Sequence, residues 1–300
     1  GPVFTILSGI GTLLGNGGCT CISIALGKKD TANIRKYSSF CCYGSLLLGL
    51  LYLVIANALL DPICILLGAD ADTLSYTMEY LRIITLGAPF ILFNNVFANV
   101  IRCDGAAKES MITNCLGTFS NILLDALFIL GFHWDVAGAA LATVLGNCIS
   151  CVYIVYYIVK KQPLLSLRFQ DFPRELSAMT SVLSLGLPMA FSTTLNSVSH
   201  IIANRMVISY GAVALAAQGV SGKIGMLFTM LSMGICMGLQ PAISYNHGKG
   251  NHKRTNGIIR NTAIFTFSLG LCLTVICYLN RTLLISMFIK DDQVIAYGQT

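Results

Sequence analysis

Eight stretches of this chain are long and apolar enough to cross a bilayer, and few folds are open to such a chain. They run at about 3–26, 37–60, 80–101, 111–132, 137–159, 181–208, 213–245 and 258–279, and residues from Val294 read as the start of a ninth. A helix needs about 20 apolar residues to span the hydrocarbon. Inside lipid the backbone must satisfy its own hydrogen bonds, so these runs are expected to be helices. Composition agrees, with 55% of 300 residues hydrophobic and 11% charged; a soluble domain carries about 25% charged residues. Mean hydropathy is +0.74. The expected fold class is all-α, a polytopic membrane protein. The third span holds Gly87 and Pro89, and a proline there frees a carbonyl and allows a kink.

The loops assign an orientation. Numbered alternately, one side receives Lys28, Lys29, Arg35 and Lys36, then Arg102 and Lys108, then Lys160, Lys161, Arg168 and Arg174, then Lys249, Lys253, Arg254 and Arg260. These are fourteen of the nineteen Lys and Arg. The other side carries Asp61, Asp70, Asp72, Asp135, Asp291 and Asp292, with Arg82, Arg205, Arg281 and Lys290 near it. By the positive-inside rule the basic side is cytoplasmic. The net charge of +6 therefore reflects topology and calls for no nucleic-acid partner.

An internal repeat follows. At a constant offset of 221, Gly17, Ile22, Ser23, Gly27 and Lys28 meet Gly238, Ile243, Ser244, Gly248 and Lys249; Asp70 meets Asp291 and Tyr76 meets Tyr297. Cytoplasmic loops match cytoplasmic loops, so the halves run in parallel. Parallel repeats place a transport pathway between two lobes. The expected division is an amino-terminal lobe at 1–160, a cytoplasmic linker at 161–178 and a second lobe from 179 to 300. The repeat also implies two pseudo-symmetric six-helix lobes, of which this chain holds roughly helices 2 to 9 of twelve and the edge of the tenth.

One span carries chemistry. Met111 to Phe132 contains a single carboxylate, Asp125, nine residues after Leu116; Asn121, Thr118 and Asn114 precede it at i−4, i−7 and i−11, on one helical face. Polar side chains facing lipid are costly, so the stripe should face protein or water. An intramembrane carboxylate one turn from an amide reads as an ion or proton site. The competing reading is helix–helix hydrogen bonding. Thr143, in the small-residue run Gly138 to Asn147, can supply an oxygen to that site or bond back to its own helix. Ser192, Asn196, Ser199 and His200 in the sixth span read either as a polar cavity lining or as helix contacts. Met226, Met230, Met233 and Met237 share one face of the seventh, where methionine suits both packing and promiscuous binding.

No GxSxG, HExxH or Walker A pattern occurs, and His133, His200, His247 and His252 are scattered, so no enzyme and no bound cofactor is expected. Most of the twelve cysteines sit inside apolar runs and read as small packing residues.

Together these stretches resemble the multidrug and toxic compound extrusion (MATE) family. The residues that carry the likeness are GNGGCTCISIALGKKD at 15–30, RCDGAAKES at 102–110, NILLDALFILGF at 121–132, VAGAALAT at 136–143, GLP at 186–188 and QPAISYNHGKGN at 240–251. The resemblance implies a monomeric antiporter in the cell membrane, of a bacterial inner-membrane kind. It would export small organic cations or other toxic compounds against Na⁺ or H⁺ and contact membrane lipids. In the family's DinF-like branch the cation site uses an Asn and an Asp of helix five and a Thr of helix six. Those match Asn121, Asp125 and Thr143, with Na⁺ as a candidate at Asp125. A further Asp on helix one falls before Gly1. Where the NorM-like branch has a Glu on helix seven, this sequence has Asn196, which favours the DinF-like branch. Ser192, Asn196, Met230 and Met233 are the expected drug-cavity residues. The alternative is a lipid or polysaccharide flippase of related architecture. It would need a cationic cavity, whereas the mid-membrane polar residues read as neutral or acidic.

Overall fold

The computed structural model describes residues 2–60, 62, 64, 71–161, 164–208 and 212–280. Asp61, Asp70, Arg281, Lys290, Asp291, Asp292, Tyr297 and the span expected from Val294 lie outside the described residues. Among those described, seven helices are long and apolar enough to span a membrane, or eight when one bent pair is counted as a single span. They are α1 (Pro2–Gly27), α2 (Thr31–Ala58), α3 (Ala71–Leu86), α4 (Ala88–Cys103), α5 (Ala107–Asp125), α6 (Asp135–Lys161), α7 (Leu176–Ile208), α8 (Ala212–Gly248) and α9 (His252–Leu279).

The bent pair is α3 and α4, which meet at Gly87 with a 53° change of direction. The cause is local. Pro89 sits in the first turn of α4, where its missing N–H is no loss to that helix but ends the one before it. Gly87 also has no room for a side chain, since a Cβ there would lie 2.3 Å from Val144 Cγ2. One apolar run of the sequence is thus two helices. Several other helices outrun their apolar windows. α9 begins at His252 and carries Lys253 and Arg254, as expected of a helix whose end projects into the headgroup region.

The repeat is written into the backbone. α2 and α9 have 28 residues each, and both their bounds differ by the same 221 positions. Asp30 caps α2 by accepting from the Asn33 N–H, and Asn251 caps α9 by accepting from Arg254 N–H, each at 3.1 Å. Each capping residue follows one with positive φ, Lys29 at 59° and Gly250 at 76°. A short side-chain oxygen at that position satisfies one of the orphan donors of the first turn. The two connections, GKKD at 27–30 and GKGN at 248–251, therefore make the same turn.

The chain forms two units, Gly1–Thr194 and Leu195–Thr300. In the first, α1, α2 and α4 pack around Leu14, Ile22, Phe93, Phe97 and Ile101, joined by Ile154 of α6 and Val182 of α7. Helices come close where glycine allows. A Cβ at Gly17 would lie 2.0 Å from the Val182 carbonyl oxygen, and one at Gly186 would lie 1.9 Å from that of Leu13. The residues linking α6 to α7 also belong to this unit. Ser39 and Tyr43 of α2 donate to the carbonyls of Arg168 and Leu167, both at 2.9 Å. The boundary between units falls within α7. In the second unit α8 and α9 pack on each other.

The cysteines depart from expectation at one place. Cys19 of α1 and Cys103 at the end of α4 form a disulfide, with Cα atoms 5.2 Å apart. The two are 84 residues apart in sequence, so their proximity follows from the α1–α4 packing and leaves no local pattern.

Candidate functional site: a carboxylate between helices five and six

α5 and α6 form a tight antiparallel pair. The turn between them places His133 at φ 56° and Asp135 at φ 38°, and Trp134 stacks on Phe128 with ring centroids 5.4 Å apart. Further in, the two helices touch along glycines. A Cβ at Gly117 would sit 2.4 Å from Ser150 Oγ, and one at Gly146 would sit 2.8 Å from the Gly117 carbonyl and 3.2 Å from Asn121 Cβ. Small residues let backbones approach, so short polar side chains can meet across the seam.

The meeting is between Asn121 and Thr143. Asn121 Nδ2 donates to Thr143 Oγ1 at 3.5 Å, and Thr143 Oγ1 donates to its own helix at Ala139 at 2.9 Å. Thr143 thus bonds back to its own helix and also accepts from Asn121 across the seam. Asn147, one turn on, donates to the Thr143 carbonyl at 2.8 Å and accepts from Asn94 Nδ2 of α4 at 2.9 Å. This line of polar groups binds three helices.

Asp125 lies one turn beyond Asn121, where α5 gives way to a π-helical turn at Ala126–Gly131. Such turns interrupt the hydrogen-bond ladder and occur often at functional sites. The carboxylate is half-buried, and its Oδ1 is buried without a hydrogen-bond partner among the described residues. Tyr80 of α3 lies within electrostatic reach of it. The donor inventory suits a hard cation or a proton: a carboxylate oxygen, the Asn121 amide oxygen left free of the donation to Thr143, and a hydroxyl oxygen.

Of the remaining stripe, Thr118 and Asn114 are exposed, and Asn114 donates back to Ser110 at 3.0 Å. Ser192 lies in the first unit; Asn196, Met230 and Met233 lie in the second, and all four are exposed. Sequence reading missed Tyr80 and Asn94, because each reaches the site from another helix. It also missed Lys223, an exposed cation two residues inside the apolar window Ser221–Gly248. The reading of the mid-membrane polar residues as neutral or acidic is corrected by it: one charged residue is averaged away in a long apolar window.

The fold and this site define a class, a helical membrane protein with the architecture of solved MATE transporters. One such structure, an outward-facing multidrug resistance MATE transporter of the MOP superfamily, matches with TM-score 0.90 at 24% identity, covering 99% of this chain and 67% of the other. A MATE bound to MaD5 matches with TM-score 0.91 at 25% identity, covering 99% and 68%. The MatE family model matches residues 1–127 and 188–300, and the chain belongs to that family. Among curated proteins, the multidrug export protein MepA of Staphylococcus saprophyticus is 30% identical over 296 residues, 98% of this chain and 65% of the relative. MepA of Staphylococcus haemolyticus is 31% identical over 294 residues, with the same coverage. The chain thus spans 65% of the length of these relatives.

Proposed function

We propose that the protein is a secondary antiporter of the cell membrane, as part of an efflux system for organic cations, and that Asp125 is its ion-coupling group. The observation that carries this is the buried Asp125 Oδ1, without a hydrogen-bond partner among the described residues, one turn from the Asn121–Thr143 pair. A bare carboxylate in a low-dielectric setting is costly unless a proton or cation compensates it. Asp125 then exchanges between protonated and Na⁺-bound forms, with Asn121 and Thr143 offering neutral oxygens to the cation. Na⁺ is here cargo moving down its gradient.

Coupling needs a conformational element that the ion biases, since a ligand shifts an equilibrium only through its difference in affinity for two states. The α3–α4 bend is that element in this reading. Gly87 at the bend lies against Val144, the neighbour of Thr143. That the relatives are multidrug export proteins supports organic toxic compounds as the exported class and a bacterial cell membrane as the location.

The test uses the full-length protein in proteoliposomes loaded with a fluorescent organic cation. A Na⁺ gradient, then a pH gradient, is imposed on wild type and Asp125→Asn. Transport driven by one gradient and lost in the variant is expected. Full gradient-driven transport by Asp125→Asn would make the carboxylate a packing group only.

A further inference from the structure

A second built feature lies at the opposite end of the first unit, where helices leave the bilayer on the basic side. The residues after α6 fold back on α2 as a fixed strap. The Ser166 N–H donates to Ser38 Oγ at 2.9 Å, Arg168 N–H to Ser166 Oγ at 3.1 Å, and the α2 hydroxyls of Ser39 and Tyr43 bind the two carbonyls already described. Ser166 Oγ also bonds the Asp171 carboxylate. Rings complete the seal: Phe172 lies 6.1 Å from Phe40 and Phe169 stands edge-on to Tyr43 at 5.2 Å.

Between strap, α2 and α6 is a pocket of about 360 Å³. Its lining combines the apolar Ile158, Val159, Leu165 and Leu167 with Arg35, Arg168, Ser166 and Asp171. Val159 is 70% exposed and lies two residues before the end of α6, and Phe169 beside the pocket is also 70% exposed. Val159 thus puts an exposed apolar side chain on the pocket lining near the end of a membrane-spanning helix. A neighbouring cavity shares Arg35 and Asp171 and adds Lys36, Arg174 and Glu175. Lys36 and Glu175 pair at 3.7 Å. Together the two cavities are lined by four cations and two carboxylates, and one of those carboxylates accepts a hydrogen bond from Ser166.

We propose that this pocket binds the headgroup of an anionic phospholipid. The phosphodiester would lie between Arg35 and Arg168, whose forked guanidinium groups match its oxygens. The glycerol and first acyl carbons would lie on Val159 and Ile158, while Phe169 enters the headgroup boundary. A soluble phosphate would gain nothing from the apolar lining, and a zwitterionic headgroup would bring its own cation against two arginines. Basic pockets at cytoplasmic helix ends are suited to anionic lipids for this reason.

The experiment is native mass spectrometry on the delipidated full-length protein, titrated with phosphatidylglycerol or with phosphatidylcholine of the same acyl chains. Wild type should retain phosphatidylglycerol preferentially. Arg35→Gln with Arg168→Gln should weaken that binding roughly ten-fold or more. Val159→Glu, which places a carboxylate in the pocket lining, should weaken it too. Lys249→Gln with Arg254→Gln, removing two cations from another loop, should leave it unchanged. Equal retention by the arginine variant would overturn the proposal, as would an equal loss in the Lys249/Arg254 control. Competition by inorganic phosphate would assign the pocket to a soluble anion instead. Both arginines are exposed, so their replacement leaves the fold intact, and unchanged melting of each variant checks this.

Discussion

Asp104 shows what burial does to a single group just outside the membrane. It follows α4, and burial pushes its carboxyl from the ordinary 3.8 up to about 6, with Oδ2 buried and lacking a partner among the described residues. The folded chain holds this proton more tightly than the unfolded chain does. The resulting stabilisation is complete below about pH 4 and is lost as pH rises through about 6. Asp104→Asn keeps the shape of the neutral acid. It should raise the melting temperature at pH 7.5, leave it unchanged near pH 4, and flatten the dependence between. A variant with the wild-type slope would show that Asp104 is not the group responsible. Asp125 differs in its setting, one turn from Asn121 on a helix whose neighbour carries Thr143. Spacing on one helix face singled out Asn121 and Asp125 as candidates, and the small-residue run singled out Thr143. The contact of Asn121 with Thr143 was not legible, because the two are 22 residues apart and their helices approach through Gly117 and Gly146.

At the scale of elements, close approach is decided by missing side chains. Gly17 and Gly186 are reciprocal: each faces a backbone carbonyl of the other's helix at a distance that no Cβ tolerates. Backbone cannot rotate away as a long side chain can, so the helices must separate. Gly186→Ala should therefore cost on the order of 1–3 kcal/mol, seen as a lowered melting temperature of the detergent-solubilised protein. An unchanged melting temperature would mean that α1 and α7 are less tightly apposed. Pro188, in the same GLP segment, sits inside α7 without ending it, whereas Pro89 in the first turn of α4 follows a sharp bend. The same residue type bends or merely loosens a helix according to whether glycine and packing beside it permit the turn. That distinction is invisible in an apolar run, which is why the third span read as one helix.

For the whole molecule, the offset of 221 links the two units through their backbone turns. Lys29 and Gly250, and the caps Asp30 and Asn251, occupy equivalent places. A parallel repeat puts both turns on one side of the membrane. Cysteines substituted one at a time for Lys29 and Lys249 should both react with a membrane-impermeant maleimide in inside-out vesicles and stay unlabelled in intact cells. Opposite labelling of the two would refute the parallel arrangement. By itself the sequence determined the helical class, the number of spans, the charged side and the repeat. Each follows from solvent transfer and from local capping, which act residue by residue along the chain. Only the tertiary structure decided the 53° bend at Gly87, the Cys19–Cys103 bond, the polar line from Asn121 to Asn94, and the strap that carries Arg168 to Arg35. These depend on which helices lie side by side. That choice rests on glycine contacts and side-chain fit between residues far apart in the chain, and it leaves no period in the sequence.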